Sequence, residues 1–215
     1  RIDVAGNVVL TAQEIVALSG VEMGTNLVSI DARSMETLLA AHPRVTRASA
    51  TVSLPNRLAI RIEEKLPVLL MASGGGCVEA AADCTVLPPV ARTGRVDLPV
   101  VTGVPGTPEL GARFESPELE QAIDLMERTC FVSPGLWAEI SEIRIVPESG
   151  LLLYTVADGA EIRFGSGTVD DSDLERLWAV LANLRASGDV VESIDLRFSD
   201  QAVVRIDGTA RRTRV

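Results

Sequence analysis

The sequence contains few of the residues on which most active sites and metal sites depend. It has one histidine, His42, and three cysteines, Cys77, Cys84 and Cys130, in 215 residues. His42 precedes Pro43, a position typical of the end of a helix, and a general base also needs a positioned partner. No pair of histidines or cysteines completes a set of zinc ligands. These absences predict that the protein is not an enzyme and holds no metal.

Signals for nucleotide chemistry are also missing. The run Gly74-Gly75-Gly76 lacks the lysine and the serine or threonine that complete a phosphate-binding loop, and Gly103-x-x-Gly106 follows no clear join of strand and helix. There is no nucleophile elbow, and the carboxylates are scattered without a protected pair. The sequence therefore predicts no cofactor.

Positive charge is scarce. The chain has 20 lysine and arginine residues against 30 aspartate and glutamate residues, which gives a net charge of −10. Because affinity for nucleic acid depends on cations that neutralise phosphates, this balance argues against a nucleic-acid partner. The one basic cluster, Arg211, Arg212 and Arg214, lies at the end of the sequence, where we expect a solvated tail.

No apolar run approaches the roughly 20 residues of a membrane-spanning helix, and the first residues lack the pattern of a signal peptide. What is present is an aliphatic chain, 47% hydrophobic and 23% charged with 3% aromatic residues, which indicates a packed, strand-rich protein. A length of 215 residues is enough for two modest domains.

The first 67 residues predict the order strand, helix, helix, strand, strand. Thr11 with Glu14 forms a capping box at the start of the first helix, Asp31 can cap the second, and His42-Pro43 ends it. From 47 to 64, apolar and polar residues alternate around a turn, the pattern of a half-buried antiparallel hairpin. The helices and the apolar face of the hairpin can share one core.

The second half predicts strands with two amphipathic helices. Short strands are expected at 68–71, 78–79, 85–87, 98–101, 140–146, 151–156 and 161–164, with a turn at 147–150. One helix should begin at Ser116-Pro117 and run close to Thr129, and another should be capped by Thr168 and Asp171. Strands at 193–198 and 202–206 close the sequence. We expect 202–206 to be an open sheet edge, whose unpaired backbone groups an extended partner segment can complete.

The cysteines allow more than one interpretation. Cys77 and Cys84 flank a segment that we interpret as a hairpin, where paired positions can bring two β-carbons within bridging distance. A disulfide between them would fit an oxidising compartment. The alternatives are two small semi-buried thiols and a metal site, the latter without enough ligands. Cys130 lies on the apolar stripe of a predicted helix, where we expect an inert core residue.

The chain resembles the FtsQ/DivIB family of bacterial division proteins over almost its whole length. In the first part the resemblance is carried by Val4-x-Gly6-Asn7, Thr11-x-x-Glu14-Ile15, Gly24-x-Asn26-Leu27, Pro43-x-Val45-x-x-Ala48, Leu54-Pro55-Asn56-x-Leu58 and Ile62-Glu63-Glu64-Lys65-x-Pro67. In the second part it is carried by Phe164-Gly165-x-Gly167, Ile194-Asp195-Leu196-Arg197-Phe198 and 202–206. It implies an α+β protein with a POTRA domain (β-α-α-β-β) at 1–67. A β-rich domain follows at 68–215, with two amphipathic helices on a mainly antiparallel sheet.

The resemblance also implies a place in the cell. Members of this family have a short cytoplasmic tail and one transmembrane helix before the POTRA domain. We therefore expect both to lie upstream of Arg1, with this region in the periplasm at the division septum and the whole protein anchored in the cell inner membrane. The implied function is a divisome scaffold that binds FtsB and FtsL and helps recruit and regulate septal peptidoglycan synthesis. Other membrane proteins of the divisome would meet the POTRA domain.

The partner site implied by the family maps onto the last two predicted strands. Arg197 and Phe198 correspond to the arginine and aromatic residue that hold FtsB, and the strand that FtsB extends corresponds to Ala202, Val203, Val204, Arg205 and Ile206. The family often has tyrosine where this chain has Phe198, so a hydroxyl contact is absent. Where the enterobacterial version has a further aromatic anchor, this chain has Ile206 or a neighbour. The alternative for Phe198 is core packing beside Ile194 and Leu196.

Two other functions are compatible with parts of this pattern. A POTRA-bearing chaperone module of outer-membrane protein assembly or secretion predicts tandem POTRA repeats or barrel strands, and the first domain does not recur in the sequence. A hydrolase that acts on the cell wall predicts a catalytic constellation, which the sequence does not contain.

Overall fold

The computed structural model describes residues 1–22, 24–90, 96–146, 150–165, 169–198, 201–206 and, by its backbone, the strand at 209–214. The predicted cap Thr168 and residues 147–149 of the predicted turn lie outside this part of the chain. The described elements, in chain order, are β1 (Ile2–Ala5), α1 (Ala12–Leu18), a 3₁₀ turn (Leu27–Ser29), α2 (Ala32–Ala40), β2 (Val45–Ser53), β3 (Arg57–Glu64), β4 (Pro67–Ser73), β5 (Gly76–Ala81), β6 (Val86–Leu87), β7 (Val100–Thr102), α3 (Pro117–Val132), α4 (Pro134–Glu139), β8 (Ile140–Val146), β9 (Gly150–Thr155), β10 (Glu161–Arg163), α5 (Asp171–Ser187), β11 (Val191–Phe198), β12 (Gln201–Ile206) and β13 (Thr209–Arg214).

The first compact unit begins with the predicted order of strand, two helices and two strands. Its sheet has the order β1-β3-β2, with β1 parallel and β2 antiparallel to β3. The predicted capping box is confirmed, because the Thr11 hydroxyl accepts from the Glu14 amide at 3.2 Å and the Glu14 carboxylate accepts from the Thr11 amide at 2.7 Å. Asp31 caps α2 as predicted. The alternating rows of the hairpin bury one face against both helices in a core formed by Leu10, Ile15, Met35, Leu39, Val45, Leu58, Ile60 and Ile62.

A carboxylate at the end of β3 organises the turn that follows β1. The Glu64 side chain accepts hydrogen bonds from the backbone amides of Val8 at 3.0 Å, Val9 at 2.8 Å and Leu10 at 3.1 Å. Gly6 precedes this turn with φ +84°, and a β-carbon at that position would lie 2.1 Å from the Ile62 carbonyl oxygen. The first unit therefore needs glycine where β1 leaves the sheet.

The first unit also contains segments that the sequence assigned to the second domain. It comprises Arg1–Pro67, Val78–Val96 and Pro108–Phe114. The fully buried Arg44 joins two of these segments: its guanidinium donates to Glu79 Oε2 at 2.6 Å and to the Pro88 carbonyl at 2.8 Å. The predicted second domain, 68–215, is thus not one continuous unit, because contacts such as these are not visible in local sequence patterns.

The second unit comprises Val68–Cys77, Asp97–Thr107 and Glu115–Val215. Its strands follow the order β4-β7-β8-β9-β10-β11-β12-β13. Antiparallel pairs outnumber parallel ones, but β4–β7, β7–β8 and β10–β11 are parallel. The parallel pair β10–β11 is connected by α5, as a crossover connection requires.

The helices of the second unit were predicted with small errors. Ser116 caps α3, which continues to Val132 with a buried stripe that includes Leu119, Ile123, Met126 and Thr129. Cys130 is exposed and is not a core residue, because the buried stripe runs through Thr129 instead. Asp170 with Asp173 forms the capping box of α5, two residues after the predicted pairing. The short helix α4 was not predicted. None of the helices in the described part of the chain is long and apolar enough to cross a bilayer.

Candidate partner-binding surface at the C-terminal strands

The predicted site residues lie on two neighbouring strands of the second unit. Arg197 and Phe198 end β11, and Ala202 to Ile206 lie within β12. The strands are antiparallel, with Ile194 opposite Val204 and Asp195 opposite Val203. On β12 the side chains of Ala202, Val204 and Ile206 are buried, whereas Val203 and Arg205 lie on the outward face. The predicted alternation of β12 is confirmed.

The prediction that β12 is the open edge is wrong. A further strand, β13, pairs antiparallel with β12, from Gln201 opposite Arg214 to Ile206 opposite Thr209. The basic cluster that the sequence indicated as a solvated tail lies in this strand. Its sequence, Thr-Ala-Arg-Arg-Thr-Arg, has no apolar alternation, so nothing in the pattern marks it as a strand. Backbone hydrogen bonds to β12 are available to any sequence, and they place it at the edge.

Phe198 is on the surface because β11 contains an irregularity. The register shifts between Asp195 and Phe198, so that Phe198 lies opposite Gln201. A bulge of this kind inserts one residue and turns the following side chains to the other face. Phe198 is 45% exposed, and Ile194 and Leu196 are buried. The expected inward direction of Phe198 is therefore corrected, and core packing is not its role in this structure.

Arg197 is held beside Phe198 by an acidic neighbour on the same strand. Its guanidinium donates to Asp195 through Nε at 2.9 Å and through Nη2 at 2.6 Å. The hydrogen bond from Arg197 lowers the pKa of the Asp195 carboxyl below its usual range. The Arg197 side chain remains 53% exposed, so its remaining donors face solvent. A two-point contact of this kind fixes the direction of the guanidinium before a partner arrives.

A shallow cavity opens on the same outward face. It has a volume of about 230 Å³ and is lined by Arg163, Ser193, Ile194, Asp195, Arg197, Val203 and Arg205. Three of the lining residues are arginines and one is an aspartate. In a chain whose net charge is −10, this face of β10, β11 and β12 is locally basic. It is suited to a partner segment that carries carboxylates.

The start of β11 is fixed by a partly buried ion pair. Asp158 accepts from both terminal nitrogens of Arg185, each at 2.7 Å, and from the Val191 amide at 2.8 Å. Arg185 also contacts Glu139 at 3.2 Å. These bonds connect the β9–β10 turn, the last turn of α5 and the first residue of β11. At the other end of the strand, the Arg176 guanidinium of α5 donates to the Leu196 carbonyl at 2.6 Å.

The contribution of Asp158 to stability is expected to disappear between about pH 4 and pH 2. The bond from Arg185 holds the pKa of Asp158 at about 2, below the ordinary value of 3.8. A lowered pKa in the folded state stabilises the protein above the unfolded-state value, by about 2 kcal/mol for a shift of this size, and the gain is lost as the pH falls through the folded-state value.

We expect the difference in free energy of unfolding between the native chain and Asp158→Asn to be constant above about pH 4.5 and to shrink towards pH 2. Urea unfolding at pH 5, 3 and 2 measures it. A difference that does not change with pH would contradict the assignment of the ion pair.

The cysteines and the histidine take no part in this surface. No bond joins the sulfur atoms of Cys77 and Cys84; Cys77 is exposed and Cys84 is buried with φ 61°. The structure therefore does not contain the disulfide that was one of the interpretations. His42 follows α2, where its Nδ1 accepts from the Arg44 amide at 3.3 Å, and burial together with the charge of Arg44 lowers its pKa.

Sequence reasoning missed three groups that shape the site. Asp158 and Arg185, which form an ion pair, are 27 positions apart in the sequence. Arg176 of α5 and the Leu196 carbonyl to which it donates are 20 positions apart. Neither pair has a local pattern that could have revealed it. The Asp158-Gly159 dipeptide was recognised as a turn, but its carboxylate was not recognised as a partner of α5. The third group is β13.

The first unit has the fold of a POTRA domain. The chain is therefore a POTRA-bearing protein, and its second unit contains both strands and helices. Residues 1–65 match the family model "POTRA domain, FtsQ-type", and residues 77–197 match "Cell division protein FtsQ/DivIB, C-terminal". The second match ends at Arg197, so β12 and β13 lie beyond it.

Similar proteins are found among bacteria of several lineages. The chain is 30% identical over 208 residues to "Cell division protein FtsQ" of Geotalea daltonii. The aligned region covers 95% of this chain and 74% of that protein. It is 32% identical over 202 residues to the protein of that name from Anaeromyxobacter sp. strain K, covering 92% and 68%. For Rhodothermus marinus the identity is 30% over 213 residues, covering 95% and 76%. The chain belongs to the FtsQ/DivIB family of cell division proteins.

Proposed function

We propose that this protein is a non-enzymatic scaffold of the bacterial divisome, which binds FtsB and FtsL through the C-terminal strands of its second unit. Through this contact it would help recruit and regulate septal peptidoglycan synthesis. The region would then lie in the periplasm at the septum, and a helix upstream of Arg1 would anchor the protein in the inner membrane. The POTRA domain would meet other membrane proteins of the divisome.

One observation carries the proposal. The sheet of the second unit ends at β12 and β13, and the exposed side chains of Arg197 and Phe198 lie at the end of the adjoining strand β11. An extended partner segment that joins this end of the sheet gains backbone hydrogen bonds. Phe198 supplies an apolar anchor and Arg197 a donor pair for a carboxylate. Val203 and Arg205 lie on the outward face of the same surface, while the buried side chains of Ala202, Val204 and Ile206 hold β12 in the sheet.

The first unit offers a weaker edge for the same kind of contact. Its sheet has two edge strands, β1 and β2, and on β2 the amide of Ala50 donates to the Glu36 carboxylate of α2 at 2.8 Å. A side chain that occupies an edge amide discourages strand addition. This disfavours strand addition at β2, and we assign the surface of the POTRA domain to other contacts.

Replacing Phe198 with alanine is expected to weaken binding of the FtsB–FtsL ectodomain complex by about tenfold or more. Truncation of an aromatic anchor in an interface commonly costs about 2 kcal/mol, and the loss in stability should be small because Phe198 is 45% exposed. Titration calorimetry with the purified ectodomains measures the affinity.

Val156→Ala is the matched control. Val156 is 61% exposed and directly follows β9, so it is an exposed apolar residue outside β11 and β12. This variant should bind like the native chain. Unchanged affinity in Phe198→Ala, or an equal loss in both variants, would refute the site. A proline at Val203 is a poorer test, because β12 is paired on both sides.

A further inference from the structure

β13 occupies the position beside β12 that a partner strand would need. Its residues opposite the buried row of β12 are Thr213 opposite Ala202, Arg211 opposite Val204 and Thr209 opposite Ile206. The buried row of β12 therefore has no aliphatic or aromatic residue beside it on β13. In its sequence and register, β13 offers the sheet backbone hydrogen bonds and little apolar surface.

The sequence of β13 also supplies no negative charge. The outward cavity next to Val203 is lined by Arg163, Arg197 and Arg205. Residues 209–214 are threonine, alanine and arginine, so this strand has no carboxylate to offer. A partner strand with carboxylates at its outward positions would bring opposite charge to these arginines.

We infer that β13 is an exchangeable cover of the β12 edge, and that the partner segment binds by replacing it. This inference rests on the proposed function. The replacing segment is extended, with apolar residues facing the row of Ala202, Val204 and Ile206 and acidic residues facing Arg163, Arg197 and Arg205. Exchange keeps the backbone hydrogen bonds of β12, while the partner adds apolar burial and opposite charge.

Covering the edge has a consequence for the free protein. An open edge strand is a template for pairing with other copies of the chain. A cover bound mainly by backbone hydrogen bonds protects the edge until a better strand arrives. The apparent affinity for the partner is then lowered by the fraction of time for which the edge is uncovered.

A disulfide lock tests the exchange. Gln201 and Arg214 are directly opposed and Gln201 is not a residue of the partner site; opposed residues of antiparallel strands lie about 4.5–5.5 Å apart at Cα, within the range for a disulfide. The lock is Gln201→Cys with Arg214→Cys, in a chain whose exposed cysteines are replaced by Cys77→Ser and Cys130→Ser. The same protein after reduction is the matched control. The probe is the FtsB–FtsL ectodomain complex, and a chain that ends at residue 208 is the second variant.

The oxidised lock should abolish binding, and reduction should restore it. The chain that ends at 208 should bind about tenfold more tightly than the native chain, if the edge is uncovered about a tenth of the time. Equal binding by the oxidised and reduced forms, or weaker binding by the shortened chain, would overturn the inference, since the partner would then pair with β13 itself.

Hydrogen exchange separates failure of the inference from failure of the proposed function. In the free protein, the amides of β13 should exchange much faster than those of β11. Amides of β13 that are as protected as those of β11 would overturn the inference even without a partner. If the native, reduced and shortened chains all fail to bind the ectodomains, the proposed function is refuted, and the exchange rates alone decide whether β13 is a cover.

Discussion

Replacing Gly6 with alanine is expected to destabilise the POTRA domain by about 3 kcal/mol or more. Two costs combine at this position. A positive φ costs a residue with a β-carbon about 1–2 kcal/mol, and Gly6 has φ +84°. The added β-carbon would also lie 2.1 Å from the Ile62 carbonyl oxygen, so β1 would have to move away from β3. That movement would strain the turn in which Glu64 accepts the amides of Val8, Val9 and Leu10.

Gly24→Ala separates the two costs. Gly24 has φ +98°, but a β-carbon there would meet nothing within 4 Å. This variant should therefore lose only the backbone term of about 1–2 kcal/mol. Hydrogen exchange of the α1 and β3 amides in the whole chain reports the local free energy of unfolding. If Gly6→Ala costs no more than Gly24→Ala, the close approach of β1 and β3 is not what requires glycine.

Replacing Arg185 with methionine is expected to cost about 3–5 kcal/mol in the second unit. The Asp158 side chain is 9% exposed and takes two bonds from Arg185, so the variant leaves a nearly buried carboxylate without its cation. Methionine keeps much of the length of the side chain, which limits the loss of packing. Because Asp158 also accepts a hydrogen bond from the Val191 amide, the loss of stability should extend to the first residues of β11, the strand that carries Arg197.

Arg163→Met is the control for the loss of an arginine ion pair. Arg163 pairs with Glu161, but its side chain is 50% exposed, and exposed pairs contribute about 1 kcal/mol or less. Urea unfolding, followed by exchange of the β11 amides, compares the two variants. Adding Asp158→Asn to Arg185→Met should recover part of the loss, because the uncompensated charge is then removed. Equal losses for Arg163→Met and Arg185→Met would show that burial of the pair has no special role.

Local signals in the sequence predicted the first unit well. The capping box of Thr11 and Glu14 and the alternation of the hairpin depend on residues within a few positions of one another, and the structure contains both. The boundaries of β8 agree with the prediction residue for residue. Such features are encoded where they occur, since a cap or an alternating strand needs only its own neighbours.

The wrong predictions concern features for which the sequence has no local pattern. β13 has no apolar period, so its sequence resembles a tail, although its backbone pairs with β12. The bulge before Phe198 turns that side chain outward, against the simple alternation of β11. The stripe of α3 passes through Thr129 and leaves Cys130 exposed. The first two of these outcomes depend on strand pairing and the third on helix packing.

The sequence by itself determined the family and most of the helices and strands, but not α4 or β13. Apolar periodicity shows which face of each helix or strand is buried, and capping residues show where a helix begins. The tertiary structure decided which strand ends the sheet, which side of it carries Arg197 and Phe198, and which distant charges hold β11. Strand pairing uses backbone groups that every residue has, and ion pairs join positions far apart in the chain, so neither leaves a local signature.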